Sequence, residues 1–267
     1  MALMFDLIRR ASRLLLPSDC TTCGQALSSD PTPFFCRDCW AHIRPIQGPG
    51  CSRCRRPFAS EVATVFSPTH ECHDCRTRLP RYTRVWAPYA YRSPLREAIA
   101  LFKYHRKVAL ARSLGILLIQ ALPAQLETDL IMPIPLHPNR LREREFNQSL
   151  LLADYVSPIL QRPVSYRNLV RVVDTNPQTT LSRSARLRNL RKAFALKNPG
   201  EVRGRIILLV DDVFTTGTTA DECASVLLNA QAREVKVLTL ARSIDGDLFQ
   251  DANPLPMIPT AHLEGRA

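Results

Sequence analysis

The chain has 267 residues and a formal net charge of +12, with 45% hydrophobic and 7% aromatic residues. That length fits one large domain or two of ordinary size, at roughly 100–200 residues each, and the hydrophobic content is enough for a sizeable core. No apolar run reaches the roughly 18–20 residues that a membrane-spanning helix needs, and the excess of Lys and Arg suits anionic partners such as phosphate, pyrophosphate or nucleic acid.

Leu3, Leu7, Ile8 and Leu14 recur at near-helical spacing with Arg9, Arg10 and Arg13 between them. This predicts a short amphipathic helix over 1–17 that docks on the rest of the chain, a membrane-surface role being the alternative. Asp6 and the arginines interrupt the stretch, and no small-residue cleavage site follows it. It is therefore not read as a secretory leader.

The block 18–79 holds four Cys-x-x-Cys pairs: Cys20/Cys23, Cys36/Cys39, Cys51/Cys54 and Cys72/Cys75, separated by 12, 11 and 17 residues. Each pair can give two thiolates to one tetrahedral ion, so two pairs complete a four-cysteine zinc site. The block is too poor in apolar residues to hold a core without metal. It reads as a double zinc ribbon holding two Zn2+ ions, with Cys20, Cys23, Cys36 and Cys39 on one and Cys51, Cys54, Cys72 and Cys75 on the other. An interleaved pairing is the second choice. Paired spacing of this kind favours metal over disulfides, and so a reducing, cytoplasmic setting. Arg37, Arg44, Arg53, Arg55, Arg56, Arg76 and Arg78 make the block basic. Structural or protein contact and nucleic-acid contact are both open uses for it.

Beyond residue 79 the composition shifts, and an α/β domain is expected over 80–245. Val85, Trp86, Tyr89 and Tyr91 predict an aromatic strand. Ser93-Pro94 predicts a helix start with the hydroxyl as N-cap, followed by a second helical run over 108–122. Residues 130–135 form a short strand ending in Pro133 and Pro135, and a helix is expected over about 148–160. A further strand is expected within 164–171. The segment 133–200 holds twelve Lys/Arg against four acids, a balance of +8, and its part over 175–198 reads as a mobile loop leading into a helix.

Residues 206–219 then read Ile-Ile-Leu-Leu-Val-Asp-Asp-Val-Phe-Thr-Thr-Gly-Thr-Thr. An apolar run without alternation suits a strand buried on both faces of a parallel sheet. Ligands of open α/β sheets sit outside the carboxyl ends of such strands, where Asp211 and Asp212 fall. The Thr/Gly loop offers N–H and O–H donors at the start of the next helix, which suits a phosphate. Thr219 and Glu222 have the spacing of a capping box. Cys223 reads as a small buried hydrophobe. A parallel strand over 235–240 follows, and then a mobile tail over 246–267.

The stretch resembles the phosphoribosyl-diphosphate (PRPP) signature of type I phosphoribosyltransferases. With Phe102-Lys103-Tyr104, Pro133-Ile134-Pro135-Leu136-His137, Arg144-Glu145-Phe146-Asn147-Gln148, Arg171 and the cysteine block, the chain is similar to the ComF/GntX-type phosphoribosyltransferase-like family. The resemblance implies a type I phosphoribosyltransferase-like parallel sheet flanked by helices and preceded by a small zinc-ribbon domain. It places the ribose hydroxyls of PRPP on Asp211 and Asp212 and the 5′-phosphate on Thr215, Thr216, Gly217, Thr218 and Thr219. His137, Arg140, Lys103 and Arg183 are its pyrophosphate-side candidates, and Mg2+ is expected with PRPP. It also implies a link to DNA uptake in natural transformation, with single-stranded DNA and a DNA-translocating helicase as partners. Two functions fit: Mg2+-dependent phosphoribosyl transfer, and a non-catalytic single-stranded DNA-binding or PRPP/nucleotide-sensing role. Glu145 departs from the family, which usually has Gly there. If the position takes a positive φ, Glu costs about 1 kcal/mol or more; its carboxylate either pairs with Arg144, weakening an anion site, or points to solvent.

Overall fold

The computed structural model describes residues 19–27, 30, 32–60, 62–65, 67–174 and 193–244. The helix expected over 1–17, Arg183 with the rest of 175–192, and the tail expected over 246–267 lie outside the described residues.

The two ribbons are built alike. In each, the first Cys-x-x-Cys forms a tight turn: Gly24 N donates to Cys20 O, and Arg55 N donates to Cys51 O. The turn closes through positive-φ residues, Gly24 at +73° and Arg55 at +61°. An antiparallel bridge flanks each turn, Asp19 with Ala26 and Gly50 with Pro57. The second Cys-x-x-Cys opens a short helix with its first cysteine as N-cap: Cys36 before α1 (Arg37–Ala41), and Cys72 before α3 (His73–Arg78). A single-turn helix, α2 (Val62–Val65), lies between the two cysteine pairs of the second ribbon.

The rest is a parallel sheet with elements on both faces. Its strands are β1 (Arg84–Trp86), β2 (Tyr89–Ala90), β3 (Leu130–Pro133), β6 (Ile206–Phe214) and β7 (Glu234–Arg242). The order is β1-β7-β6-β3, all parallel, and β2 continues the β1 edge along β7. A separate antiparallel pair joins β4 (Leu169–Arg171) to β5 (Phe194–Leu196). The strand expected within 164–171 is thus divided: Val164 makes a single bridge to Ile131, and only 169–171 form a strand.

Alternation along the central strands divides the core. Ile207 and Leu209 of β6, with Val235 and Val237 of β7, face α8 (Thr218–Asn229) and the second cysteine cluster. Leu208, Val210, Leu238 and Leu240 face the opposite layer, made of α4 (Leu95–Tyr104), α5 (Leu110–Gln120) and α7 (Gln148–Leu160). Cys20 and Cys36 of the first ribbon belong to that layer. Strands covered on both sides need apolar residues at every position, which explains the unbroken run before Asp211. Close approach of α5 to α7 depends on Gly115, where a Cβ would lie 2.4 Å from Tyr155 Cγ.

Two expected helix starts differ. Pro94, not Ser93, takes the N-cap of α4, and no side chain caps it. Gly217 caps α8, which therefore begins at Thr218, one residue before the expected capping box of Thr219 and Glu222. Gly217 at φ +77° closes the loop so tightly that the side chain of Thr219 is already within the helix.

Candidate phosphoribosyl site and zinc centres

β6 runs four residues past Val210, because β7 also extends to Arg242 and supplies partners: Asp211 pairs with Thr239, and Phe214 with Arg242. The acid pair therefore sits on rigid strand backbone. Asp211 Oδ1 accepts from Ser149 Oγ at 2.8 Å and from the Asp212 N–H at 2.9 Å. Asp212 is buried, and its Oδ1 lies 2.6 Å from Lys103 Nζ. Its Oδ2 is buried with no hydrogen-bond partner among the described residues.

The electrostatics follow from crowding. Burial, and then the charge of Asp212, raise the Asp211 carboxyl to about 7, although Lys103 and Ser149 pull the other way. Burial opposes the Lys103 charge, but Asp212 and Asp211 outweigh it and hold the ammonium above its ordinary range. Burial and the nearby Asp211 push the Cys223 thiol well up, which keeps it a neutral, inert core residue. Lys103 thus lies on the acid pair, where it compensates carboxylate charge.

The loop after β6 turns on Gly217. A Cβ there would meet Phe214 Cζ at 2.6 Å and the Tyr82 hydroxyl at 2.7 Å. Thr216 and Thr218 hydroxyls are 2.8 Å apart, and Thr218 and Thr219 occupy the first turn of α8. Thr215 is exposed and Thr216 half-buried. The two hydroxyls bond to each other beside a helix N-terminus, a place whose N–H and O–H donors suit an anion.

The loop after β3 carries the other candidates, His137 and Arg140. His137 N-caps α6 (Pro138–Arg144), its Nδ1 accepting from Asn139 N at 3.3 Å, and it lies 3.4 Å from Asp174 Oδ2. Burial and the charge of Arg140 together lower the Arg171 guanidinium, which stacks over Phe194 at 5.6 Å. Asn147 N-caps α7 through Ser149 N and donates to Ile134 O, so it ties this loop to the start of the helix that carries Ser149.

Glu145 ends α6 at φ +69°, the conformation that favours glycine. Its carboxylate pairs with Arg106 at 2.6 Å, not with Arg144. Arg144 instead donates to Gln148 Oε1 and lies 5.1 Å over the Tyr104 ring.

The sulfurs of Cys20, Cys23, Cys36 and Cys39 lie within 4.8 Å of one another, and so do those of Cys51, Cys54, Cys72 and Cys75. The pairing is consecutive, and the interleaved alternative is excluded. Cys23 and Cys36 sulfurs are 3.7 Å apart, and Cys54 and Cys72 sulfurs 3.8 Å. Four sulfurs about 2.3 Å from a central zinc would stand roughly 3.8 Å apart, so both sets fit the ion. Burial opposes the Cys20 thiolate, yet N–H groups of Cys36, Cys23 and Thr22 bring it down to about 6. Side-chain hydrogen bonds from Cys54 and Cys75 likewise lower Cys51.

Ser149, Arg242 and Tyr82 escaped the sequence reading as site residues. Ser149 closes the Phe146-Asn147-Gln148 stretch, a local signal that marks it in retrospect. Arg242 and Tyr82 reach the site only through tertiary packing.

The geometry defines a phosphoribosyltransferase-type sheet joined to a pair of cysteine ribbons. Comparison with known proteins agrees: residues 11–76 match the double zinc ribbon domain family and residues 147–260 the phosphoribosyl transferase domain family. The chain is 36% identical over 204 residues to the DNA utilization protein YhgH of Escherichia coli, covering 73% of this chain and 89% of that protein. It is 29% identical over 223 residues to competence protein F of Haemophilus influenzae, covering 79% and 97% of the two chains. Competence protein ComFC of Bacillus subtilis is 29% identical over 250 residues, 84% and 95% of the two. The chain belongs to the ComF/GntX-type family. Among the described residues no helix is long and apolar enough to cross a membrane.

Proposed function

We propose that the protein binds PRPP, the ribose hydroxyls on Asp211 and Asp212 and the 5′-phosphate in the loop Thr215, Thr216, Gly217, Thr218 and Thr219. The observation that carries this reading is the adjacency of two kinds of partner. Buried carboxylate oxygens suited to a diol lie at the end of β6, and a donor-lined loop at the start of α8 follows directly. The Oδ2 of Asp212, with no partner among the described residues, is the natural acceptor for a sugar hydroxyl or for water around Mg2+. Mg2+ would supply charge neutralisation to the departing pyrophosphate. His137 and Arg140, with Arg183, are the protein groups assigned to that side.

Turnover would break the bond from C1 to pyrophosphate and form one from C1 to a nucleophilic acceptor, which loses its proton. Fixed charges would do most of the work, since C1 becomes cation-like and pyrophosphate departs as an anion. The test is thermal unfolding with PRPP and Mg2+. We expect stabilisation that Asp211→Ala with Asp212→Ala abolishes; no shift in the parent protein would overturn the assignment. Pyrophosphate release with a panel of bases and oligonucleotides then separates a transferase from a sensor.

The names of the relatives, a DNA utilization protein and two competence proteins, support a role in DNA uptake; a cytoplasmic setting and a DNA-translocating helicase as partner are what the family resemblance adds to that reading. The +8 balance of 133–200 supports a second reading, single-stranded DNA binding without turnover. Phosphate neutralisation makes such binding fall steeply with salt; affinity indifferent to salt would rule it out.

A further inference from the structure

Lys103 is a charged residue on a core-facing stripe. α4 buries Ile99 and Phe102 completely, and Lys103 follows Ile99 by one helical turn, on the same face. Phe102 packs on Phe146 with ring centroids 5.2 Å apart, which fixes the last turn of the helix. An ammonium is rarely left in such a place without a fixed partner. Its partner is Asp212 Oδ1 at 2.6 Å, and only 15% of the Lys103 side chain is exposed. Burial opposes its charge, and Asp212 and Asp211 outweigh that cost.

The contact decides what else the acid pair can hold. Mg2+ demands a near-octahedral set of oxygens at about 2.0–2.1 Å. Bound directly to Asp212 Oδ1, it would stand against the ammonium, and like charges repel strongly in a buried setting. Asp211 Oδ1 already accepts from Ser149 Oγ and from the Asp212 N–H. Asp212 Oδ2 is left buried with no partner among the described residues. A buried acceptor of that kind suits an O–H donor. A sugar hydroxyl brings it a proton to share and no net charge, so Lys103 can stay where it is.

We infer that Lys103 is a built-in counter-cation that takes the place of a divalent ion on the acid pair, so that the sugar is held without metal and Mg2+ enters only with a pyrophosphate-bearing ligand. The inference rests on the phosphoribosyl reading of Asp211, Asp212 and the Thr/Gly loop, and it moves Lys103 from the pyrophosphate side of that ligand to the sugar side.

Two titrations of the zinc-loaded full chain test it. Ribose 5-phosphate, which has no pyrophosphate, should bind with the same affinity in Mg2+-free buffer and with Mg2+ in excess. Mn2+ alone, followed by loss of the free ion's electron paramagnetic resonance signal, should bind Lys103→Met about tenfold or more tightly than the parent. Asp212→Asn in the same chain should remove that gain, and Lys103→Arg, which keeps the charge, should behave as the parent. Ribose 5-phosphate that binds the parent only with Mg2+ overturns the inference, and this comparison needs no variant to fold. Mn2+ bound no better by Lys103→Met than by the parent overturns it as well. Failure of ribose 5-phosphate in both buffers overturns the sugar-phosphate reading, while the Mn2+ comparison still decides whether Lys103 keeps a metal off the acid pair.

Discussion

Lys103→Met isolates the electrostatic logic of the acid pair. Lys103 Nζ lies 2.6 Å from Asp212 Oδ1, with the side chains 15% and 4% exposed. Asp211 adds a second carboxyl, raised to about 7 by burial and by Asp212 despite the attraction of Lys103. Removing the ammonium leaves buried carboxylate charge without this partner, and breaking a buried pair from one side costs about 3–5 kcal/mol. Asp211's folded value lies above the 3.8 of the ordinary group. The folded state therefore holds the extra proton between those values, and the native protein loses stability as pH rises from about 4 to 7. Without Lys103 the pair binds a proton still more tightly, so the window widens upward. We expect a loss of about 3–5 kcal/mol near pH 8 and a much smaller one near pH 5. Near pH 8 this corresponds to a fall in Tm of roughly 10 °C. Urea unfolding at both pH values measures it. A loss under about 1 kcal/mol near pH 8, or the same loss at both, would refute the reasoning.

Three further outcomes are expected. Glu145→Gly relieves a φ of +69° and gives up an ion pair whose side chains are 53% and 62% exposed; the net should be a gain of up to about 1 kcal/mol, read from the urea midpoint, and a loss would show the Arg106 contact to be the larger effect. Gly217→Ala places a methyl 2.6 Å from Phe214 Cζ at φ +77°, so stability should fall by about 1–3 kcal/mol and the PRPP-induced shift should vanish; retention of that shift would place the phosphate elsewhere. Metal analysis should return two zinc ions per chain, and Cys75→Ser should lower Tm more than Cys23→Ser, because Cys75 lies in the sheet core and Cys23 is exposed; equal losses would mean that the second ribbon is not part of that core.

Features that depend on neighbours in sequence are legible in the sequence alone. The four cysteine pairs, the unbroken run into Asp211 and the helix Gln148–Leu160 all announce themselves through spacing or periodicity. Glu145 was legible as a departure, since a family glycine at a helix end signals a positive φ, and the structure supplies that angle. What escaped depends on distant packing. The N-cap of α8 shifts to Gly217 because Phe214 and Tyr82 crowd the loop, and no local pattern reveals Tyr82. Lys103 could be placed near the site but not on Asp212, and Ser149 meets Asp211 across 62 residues. Arg242 looks like an ordinary strand-end arginine until Cys54, 188 residues earlier, is seen to accept from it.

That last separation has a consequence for synthesis. The second ribbon leaves the ribosome well before β7, which pairs with β1 and β2 and carries its anchor Arg242, 188 residues after Cys54. Over the many seconds that translation of such a chain takes, the ribbon has no sheet to rest on. Zinc binding alone can hold its shape in that interval. Metal loading is therefore an early event in the life of the molecule, and docking of the preformed ribbon a late one.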